Sequence, residues 1–207
     1  MARNIGPKCR LCRREGVKLF LKGERCFTPK CPIDKKGAVP PGFHGVKSRR
    51  KISDYGLQLR AKQKAKRTYG VMEKQFRKYF QMATKIKGAT GEALLKILET
   101  RFDNVVYRLG FAPNRAQARQ LISHGHLVIN NKKNNVPSTI LKIGDLVTFN
   151  TKGLAMTIVK KQLEIKDFTL PSWLERKAVV GKLIKLPEKD DIDTNINEQL
   201  IVEYYSR

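Results

Sequence analysis

Cys9, Cys12, Cys26 and Cys31 are all the cysteines of the chain, and they fall within the first 31 of its 207 residues. Their spacing is C-x2-C, thirteen residues, then C-x4-C. Two short knuckles held apart by a hairpin-length loop can carry four thiolates to the corners of a tetrahedron around one Zn²⁺, with Zn–S bonds of about 2.3 Å. Lys8, Arg10, Arg13, Arg14, Arg25 and Lys30 surround the cysteines and favour ionised thiols. Two disulfides, or a redox-active Cys9/Cys12 pair, are the other chemistries open to these residues. Disulfides suit an intracellular chain poorly, and a lone dithiol leaves the second pair without a role. A four-cysteine site has no position for water, so its one zinc is a structural cofactor. It would order a segment too poor in large apolar side chains to make its own core.

A second group of chemically capable residues lies in the middle of the chain. Arg115 and Arg119 are one helical turn apart with Gln117 between them, and His124 and His126 flank Gly125. Guanidinium forks and an amide on one surface suit phosphate and sugar contacts. An ordinary helical hairpin with solvated arginines would show the same pattern. The elements that must position these groups are readable. Phe102, Val105, Val106 and Leu109 recur at helical spacing, and Gly110 closes that helix. Asn114 can cap a second helix with an apolar face of Ala116, Ala118, Leu121 and Ile122. Leu127 to Ile129 continue as a strand into a turn-like run, Asn130 to Asn135, which contains Lys132.

Elsewhere the same rules give a coarse map. Residues 32–51 are rich in Pro and Gly and read as an extended loop, in which His44 has a structural or RNA hydrogen bond rather than a metal. From the cap Ser53 a basic helix runs to about Tyr69. Met72, Phe76, Tyr79, Phe80 and Ala83 form a stripe read as core packing, with base stacking the weaker option. Thr90 can cap a helix containing Leu94, Leu95 and Leu98. Ile140 to Ile143 and Leu146 to Phe149 read as strands joined by Gly144-Asp145, with Thr157 to Val159 as a third β-prone piece, and the module ends near Lys166. Trp173 is a packing residue, and Val179-Val180 with Leu183-Ile184 can form a hairpin. Leu200, Val202 and Tyr204 alternate as in a strand, but the spacing of Ile196, Leu200, Ile201 and Tyr204 favours a helix docked back onto the N-terminal helices.

The formal net charge of +25 is the dominant global property. Of this, +20 lies in residues 1–91 and +5 in residues 92–207. A surface so basic repels itself unless a polyanion neutralises it, which makes nucleic acid the natural partner. The candidate contacts of the basic front are Arg3, Arg10, Arg13, Arg14, Lys47, Arg49, Arg50 and Lys51, joined by Arg60, Lys62, Lys66 and Arg67 on the long helix. No apolar run approaches the ~18 residues of a spanning helix and no signal-peptide core is visible, so a soluble, intracellular chain with no membrane partner is expected.

Arg101-Phe102-Asp103-Asn104-Val105-Val106-Tyr107-Arg108-Leu109-Gly110-Phe111-Ala112, Arg115-Ala116-Gln117-Ala118-Arg119-Gln120 and His124-Gly125-His126 resemble the family of small-subunit ribosomal protein four. Gly6-Pro7, Leu11-Cys12-Arg13-Arg14-Glu15-Gly16 and the ending Glu198 to Arg207 extend the resemblance to nearly the whole chain. It implies an α+β fold. A mostly helical, discontinuous domain has an N-terminal zinc-bound segment, and a small αα-β RNA-binding module with a short antiparallel sheet is inserted into it. The expected boundaries are 1–45 for the zinc segment, 46–91 with 171–207 for the helical domain, and 92–170 for the module.

The resemblance also implies a primary binder of small-subunit ribosomal RNA that folds a helical junction early in assembly. Such a protein lies near the place where messenger RNA enters, contributes to translational accuracy and has a ribosomal protein neighbour, expected to be protein five. It also implies feedback binding to the protein's own messenger RNA in some members, and a ribosome-bound, cytoplasmic or organellar location. Arg115, Gln117, Arg119, His124 and His126 are carried over as module contacts. No small-molecule substrate or catalytic residue is expected. An RNA-modifying enzyme would need a catalytic domain for which no continuous stretch remains, and the three histidines form no triad. A DNA regulator would be expected to dimerise, yet there are no dimerisation heptads.

Overall fold

The computed structural model describes residues 3–45, 51–165, 169–192 and 196–207. The chain divides into two units, residues 1–93 with 194–207, and residues 94–193. In the first unit, helix α1 (Lys8–Glu15) is closed by Gly16 at φ 72°, and α2 (Pro32–Lys36) starts on a proline, whose missing N–H costs nothing at that position. Both are short. What fixes α1 is its last residue: the Glu15 side chain is only 2% exposed and accepts from Arg60 Nη1 at 3.2 Å and from Arg67 Nη1. Those arginines belong to α3 (Asp54–Thr68), which starts where Ser53 Oγ accepts the Gly56 N–H at 3.3 Å.

Helix α4 (Glu73–Ala83) buries Phe76, Tyr79, Phe80 and Ala83 at spacings of three, one and three residues, one face of a 3.6-residue period. Each large ring contributes roughly 2 kcal/mol by leaving water. The C-terminal helix (Glu198–Tyr205) is capped by Asn197 and packs on α3, with Ile201 fully buried and Gln58 Nε2 donating to Glu203 Oε2 at 3.0 Å. Its Tyr205 stacks on Phe80 at 4.6 Å and donates its hydroxyl to Glu73 Oε1 at 2.9 Å. Docking of this helix agrees with the spacing of Ile196, Leu200 and Ile201.

The second unit begins within α5 (Thr90–Glu99) and continues through α6 (Phe102–Arg108) and α7 (Arg115–Ser123). Gly110 adopts φ 70° after α6, and Asn114 Oδ1 accepts the Gln117 N–H at 2.9 Å to start α7, as both residue types predict. Then come β1 (Leu127–Ile129), β2 (Lys132–Lys133), β3 (Leu146–Phe149), α8 (Thr151–Leu154), α9 (Thr157–Glu164), β4 (Leu174–Lys177) and β5 (Val180–Leu183). The antiparallel sheet has the order β2-β1-β3-β5-β4. Its core gathers Phe102, Val106, Leu109, Ile122, Leu127 and Trp173, all 0% exposed. At Gly181 an added Cβ would lie 2.3 Å from Leu109 Cδ1, so only glycine lets β5 approach α6 this closely.

Several sequence expectations are corrected. The Asn-rich turn is shorter than its composition suggests. Asn130 and Asn131 alone make it, both at positive φ (48° and 61°) as a two-residue hairpin requires, and Lys132-Lys133 pair with β1. Ile140 to Ile143 are not a strand: Leu141 N–H donates to Thr100 O at 2.9 Å and Phe102 N–H to Thr139 O at 2.8 Å, so this stretch closes the α5–α6 junction. Thr157 to Val159 are helical because one face docks. Val159 is fully buried while Ile158 is 49% exposed, and packing outweighs the β preference of branched residues. The hairpin of β4 and β5 extends the module's sheet, so the stretch 171–193 belongs with the module and only residues 194–207 return to the helical domain.

Glu73 is the acid on which α3, α4 and the C-terminal helix converge. Burial pushes its carboxyl up, but hydrogen bonds from Lys62, Lys66 and Tyr205 outweigh this and hold it down at about 2, below its ordinary 4.5. A depressed carboxyl stabilises the fold fully above the unfolded value and loses that contribution as pH falls towards the folded one. Glu73→Gln should therefore lower the urea midpoint near neutrality. The gap to the wild type should close as the pH falls from 4.5 to about 2, measured by tyrosine fluorescence.

Candidate nucleic-acid interface

Beside its apolar core the second unit holds a cluster of buried charge. Asp103 accepts from Arg101 Nε at 3.1 Å and Nη2 at 2.7 Å, and from Arg119 Nη1 at 3.2 Å. Glu99 accepts from Arg108 Nε at 3.1 Å and Nη2 at 3.0 Å, and from Asn104 Nδ2 at 2.6 Å. None of these five ionised side chains is more than 9% exposed as a residue. Asn104 carries the network outward: its Oδ1 accepts Arg115 Nε at 2.7 Å, and the Arg115 guanidinium lies 4.4 Å from the centre of the Tyr107 ring. A guanidinium held by a hydrogen bond and an aromatic face is aligned before any ligand arrives.

The expected module contacts therefore separate. Arg119 is 9% exposed and serves the fold, not the surface. Its place between Ala118 and Ile122 on the apolar face, opposite an acid in a basic chain, was the available signal. Arg115, Gln117 and His126 are half-buried at the surface, and His124 and Lys132 are exposed. The His124 and His126 ring centres are 6.0 Å apart, and His126 Nδ1 is buried with no partner among the described residues. Gly125 has φ 70°, and a Cβ there would lie 2.6 Å from Lys133 Cε. The β1–β2 hairpin thus lays Lys133 across the C-terminal end of α7, where a cation is favoured. Sequence reasoning passed over Lys133, though it is exposed beside Lys132.

In the first unit, Arg3, Arg10, Arg14 and Lys51 are exposed, while Lys47, Arg49 and Arg50 lie outside the described residues. Arg13 is turned inward, donating from Nε to Val39 O at 2.8 Å and from Nη2 to Pro40 O at 3.1 Å. The four α3 candidates are engaged by acids. Arg60 and Arg67 bind Glu15, whereas Lys62 and Lys66 each reach Glu73 at 2.8 Å. Lys62 is 4% exposed and sits 4.2 Å over the Tyr204 ring, so it is a packing cation and not a surface contact. Burial pushes the Glu15 carboxyl up despite its arginines. Lys74, Arg77 and Lys78 on the outer face of α4 are exposed cations that attention to the aromatic stripe concealed.

Cys9, Cys12, Cys26 and Cys31 are free thiols and line one pocket with Lys22 and Arg25. The Lys22 N–H points at Cys26 Sγ at 3.4 Å. Among the described residues, no group of three or more His, Cys, Asp or Glu side chains has the closeness of a metal site.

Comparison with known proteins accounts for the whole chain. Residues 3–99 match the model of the ribosomal protein S4/S9 N-terminal domain and residues 100–147 that of the S4 domain. The small ribosomal subunit protein uS4 of Dictyoglomus turgidum is 55% identical, with 100% of both chains covered. The protein uS4A of Symbiobacterium thermophilum is 53% identical and uS4 of Natranaerobius thermophilus 54%, again over 100% of both chains. The chain belongs to the ribosomal protein S4 (uS4) family. That family consists of ribosomal structural proteins and not of enzymes. Asp103, Asn104, Arg108, Arg115 and Arg119 all fall inside the S4 domain, and the β4–β5 hairpin extends its sheet beyond residue 147.

Removing one partner of a buried pair strands the other charge, at a cost of about 3–5 kcal/mol. Asp103→Ala, which removes the carboxylate that Arg101 and Arg119 share, should lower module stability by about the lower end of that range. Urea unfolding followed at Trp173 in the module core measures it; a loss under about 1 kcal/mol would mean that the network is not a structural necessity.

Proposed function

We propose that the protein is a primary binder of small-subunit ribosomal RNA, a structural component that holds a helical junction early in assembly. The observation that carries this is the end-to-end likeness to small ribosomal subunit proteins uS4. The charge distribution supports it. After Glu15, Glu73, Glu99 and Asp103 have engaged their partners, exposed cations remain at Arg10, Arg14, Lys51, Arg77 and Lys132. Such cations displace counterions from RNA phosphates, while packed elements hold them in an arrangement fitted to one folded shape.

The finer reading extends the same surface. It places the protein beside the route by which messenger RNA enters, next to small-subunit protein five and contributing to accuracy, on cytoplasmic ribosomes. It also gives the protein feedback binding to its own messenger RNA. No described helix is long and apolar enough to cross a membrane. Zinc belongs to this reading too. Four free thiols on one pocket, with a backbone N–H directed at Cys26 Sγ, are a donor set that Zn²⁺ would complete, and the metal would supply folding energy to residues 8–36.

Two measurements test these statements. Filter binding over a salt series should show preference for the junction region of small-subunit ribosomal RNA over an equally long unrelated RNA, persisting at physiological salt. Arg115→Ala should weaken that binding and reduce the slope of log K against log salt by about 0.7–0.9 for each phosphate it ceases to neutralise. Equal affinity for both RNAs would remove the specific role. For the metal, the purified protein should carry one zinc per chain, and Cys9→Ser with Cys12→Ser should abolish it along with amide-exchange protection in α1. Protection that survives without metal would end the zinc assignment.

A further inference from the structure

Between the second and third cysteines the chain exposes what it would ordinarily bury. Leu19 is 4% exposed, but the next residue, Phe20, turns outward at φ 48°, a left-handed conformation that Gly or Asn adopts at far lower cost. Its ring stacks on Phe27, with centroids 5.0 Å apart and planes 27° from parallel. Phe20 remains 36% exposed and Phe27 73% exposed, so the pair covers itself only on its inner side. Within the folded chain this strained backbone gains a one-sided stack and leaves both rings partly in water.

The surroundings indicate what covers the pair. Residues 8–36 contain ten Lys and Arg against three Asp and Glu. Lys22, Arg25 and Lys30 beside the rings are exposed, and Glu24 is the one exposed acid in that loop. Lys18 is committed to Asp34 at 2.7 Å. The core of a protein–protein interface is depleted in charge, and in lysine especially. Rings flanked by cations of one sign fit a ligand with a flat π face on an anionic backbone, which is an unpaired nucleotide. We propose that Phe20 and Phe27 form a stacking platform for one unpaired RNA base, Phe27 presenting the open face and Lys22, Arg25 and Lys30 engaging the adjoining phosphates. The proposal rests on the RNA-binding reading and assigns to the cysteine segment a direct contact in addition to its cationic field.

The test uses the full chain, with Phe27→Leu, Phe27→Trp and Arg25→Gln, each checked by circular dichroism. Stacking releases no counterions, whereas a phosphate contact does. Phe27→Leu should lower affinity for small-subunit ribosomal RNA roughly tenfold at every salt concentration with an unchanged salt slope, and Arg25→Gln should reduce the slope. Phe27→Trp should restore the affinity, and its indole fluorescence should be quenched by RNA. If Phe27→Leu binds RNA as tightly as the wild type, as it would if another protein covered the rings, the platform does not exist. A loss accompanied by a smaller slope, or an indole unchanged by RNA, also overturns it. The ratio of wild type to variant decides the platform, while the ratio of junction RNA to unrelated RNA decides the function proposed above, so the two can fail separately.

Discussion

A chain with 43 Lys and Arg against 18 Asp and Glu repels itself, and it eases that repulsion by surrounding a few buried or half-buried carboxylates with cations. Glu15 gathers Arg60 and Arg67, Glu73 gathers Lys62 and Lys66, and Glu99 and Asp103 gather Arg101, Arg108 and Arg119. Each of these acids ties one element to another: Glu15 fixes α1 to α3, Glu73 fixes α4 to α3 and to the distant Tyr205, and Asp103 fixes α6 to α7. Replacing such clusters with apolar residues could give equal stability, since buried ion pairs gain little net energy. What the charged version adds is position. Asn104, held by Glu99, reaches Arg115 and orients it on Tyr107, a placement that an apolar core would not supply.

The cations thus form two populations that composition alone does not separate. Those on inner faces are structural and satisfied. Those on outer faces, such as the exposed Arg77 and Lys78 of α4, remain available to phosphates. Arg10, Arg14, Arg77, Lys78 and Lys132 sit on helices and a hairpin whose backbones are already ordered, so little backbone entropy is lost when RNA engages them.

The sequence was most legible where one residue has one local reason. Ser53 and Asn114 as caps, Gly110 at positive φ, and the one-faced stripe of α4 needed only neighbouring residues to interpret. It was least legible where a partner on another element decides. Arg119 and Lys62 look like surface cations until Asp103 and Glu73 are brought beside them. Thr157 to Val159 look like strand until Val159 finds the core, and Ile140 to Ile143 until their backbone closes on Thr100 and Phe102. The assignment of the last hairpin to the module turned on register, because Gly181 faces Val147 and lets β5 lie against Leu109.

The C-terminal helix has a consequence in time. Its packing on α3 means that the first unit can be completed only after residues 198–205 have been synthesised. The module, residues 94–193, has all its strands by then. At about 5–20 residues per second, the strongly cationic front waits on the order of ten seconds for its closing helix. During that interval α3 lacks Ile201 and Tyr205 as partners, and the nascent chain is a tethered polycation beside abundant RNA. The order of synthesis thus gives the S4 domain the first opportunity to fold as a unit, with the front arm sealed last.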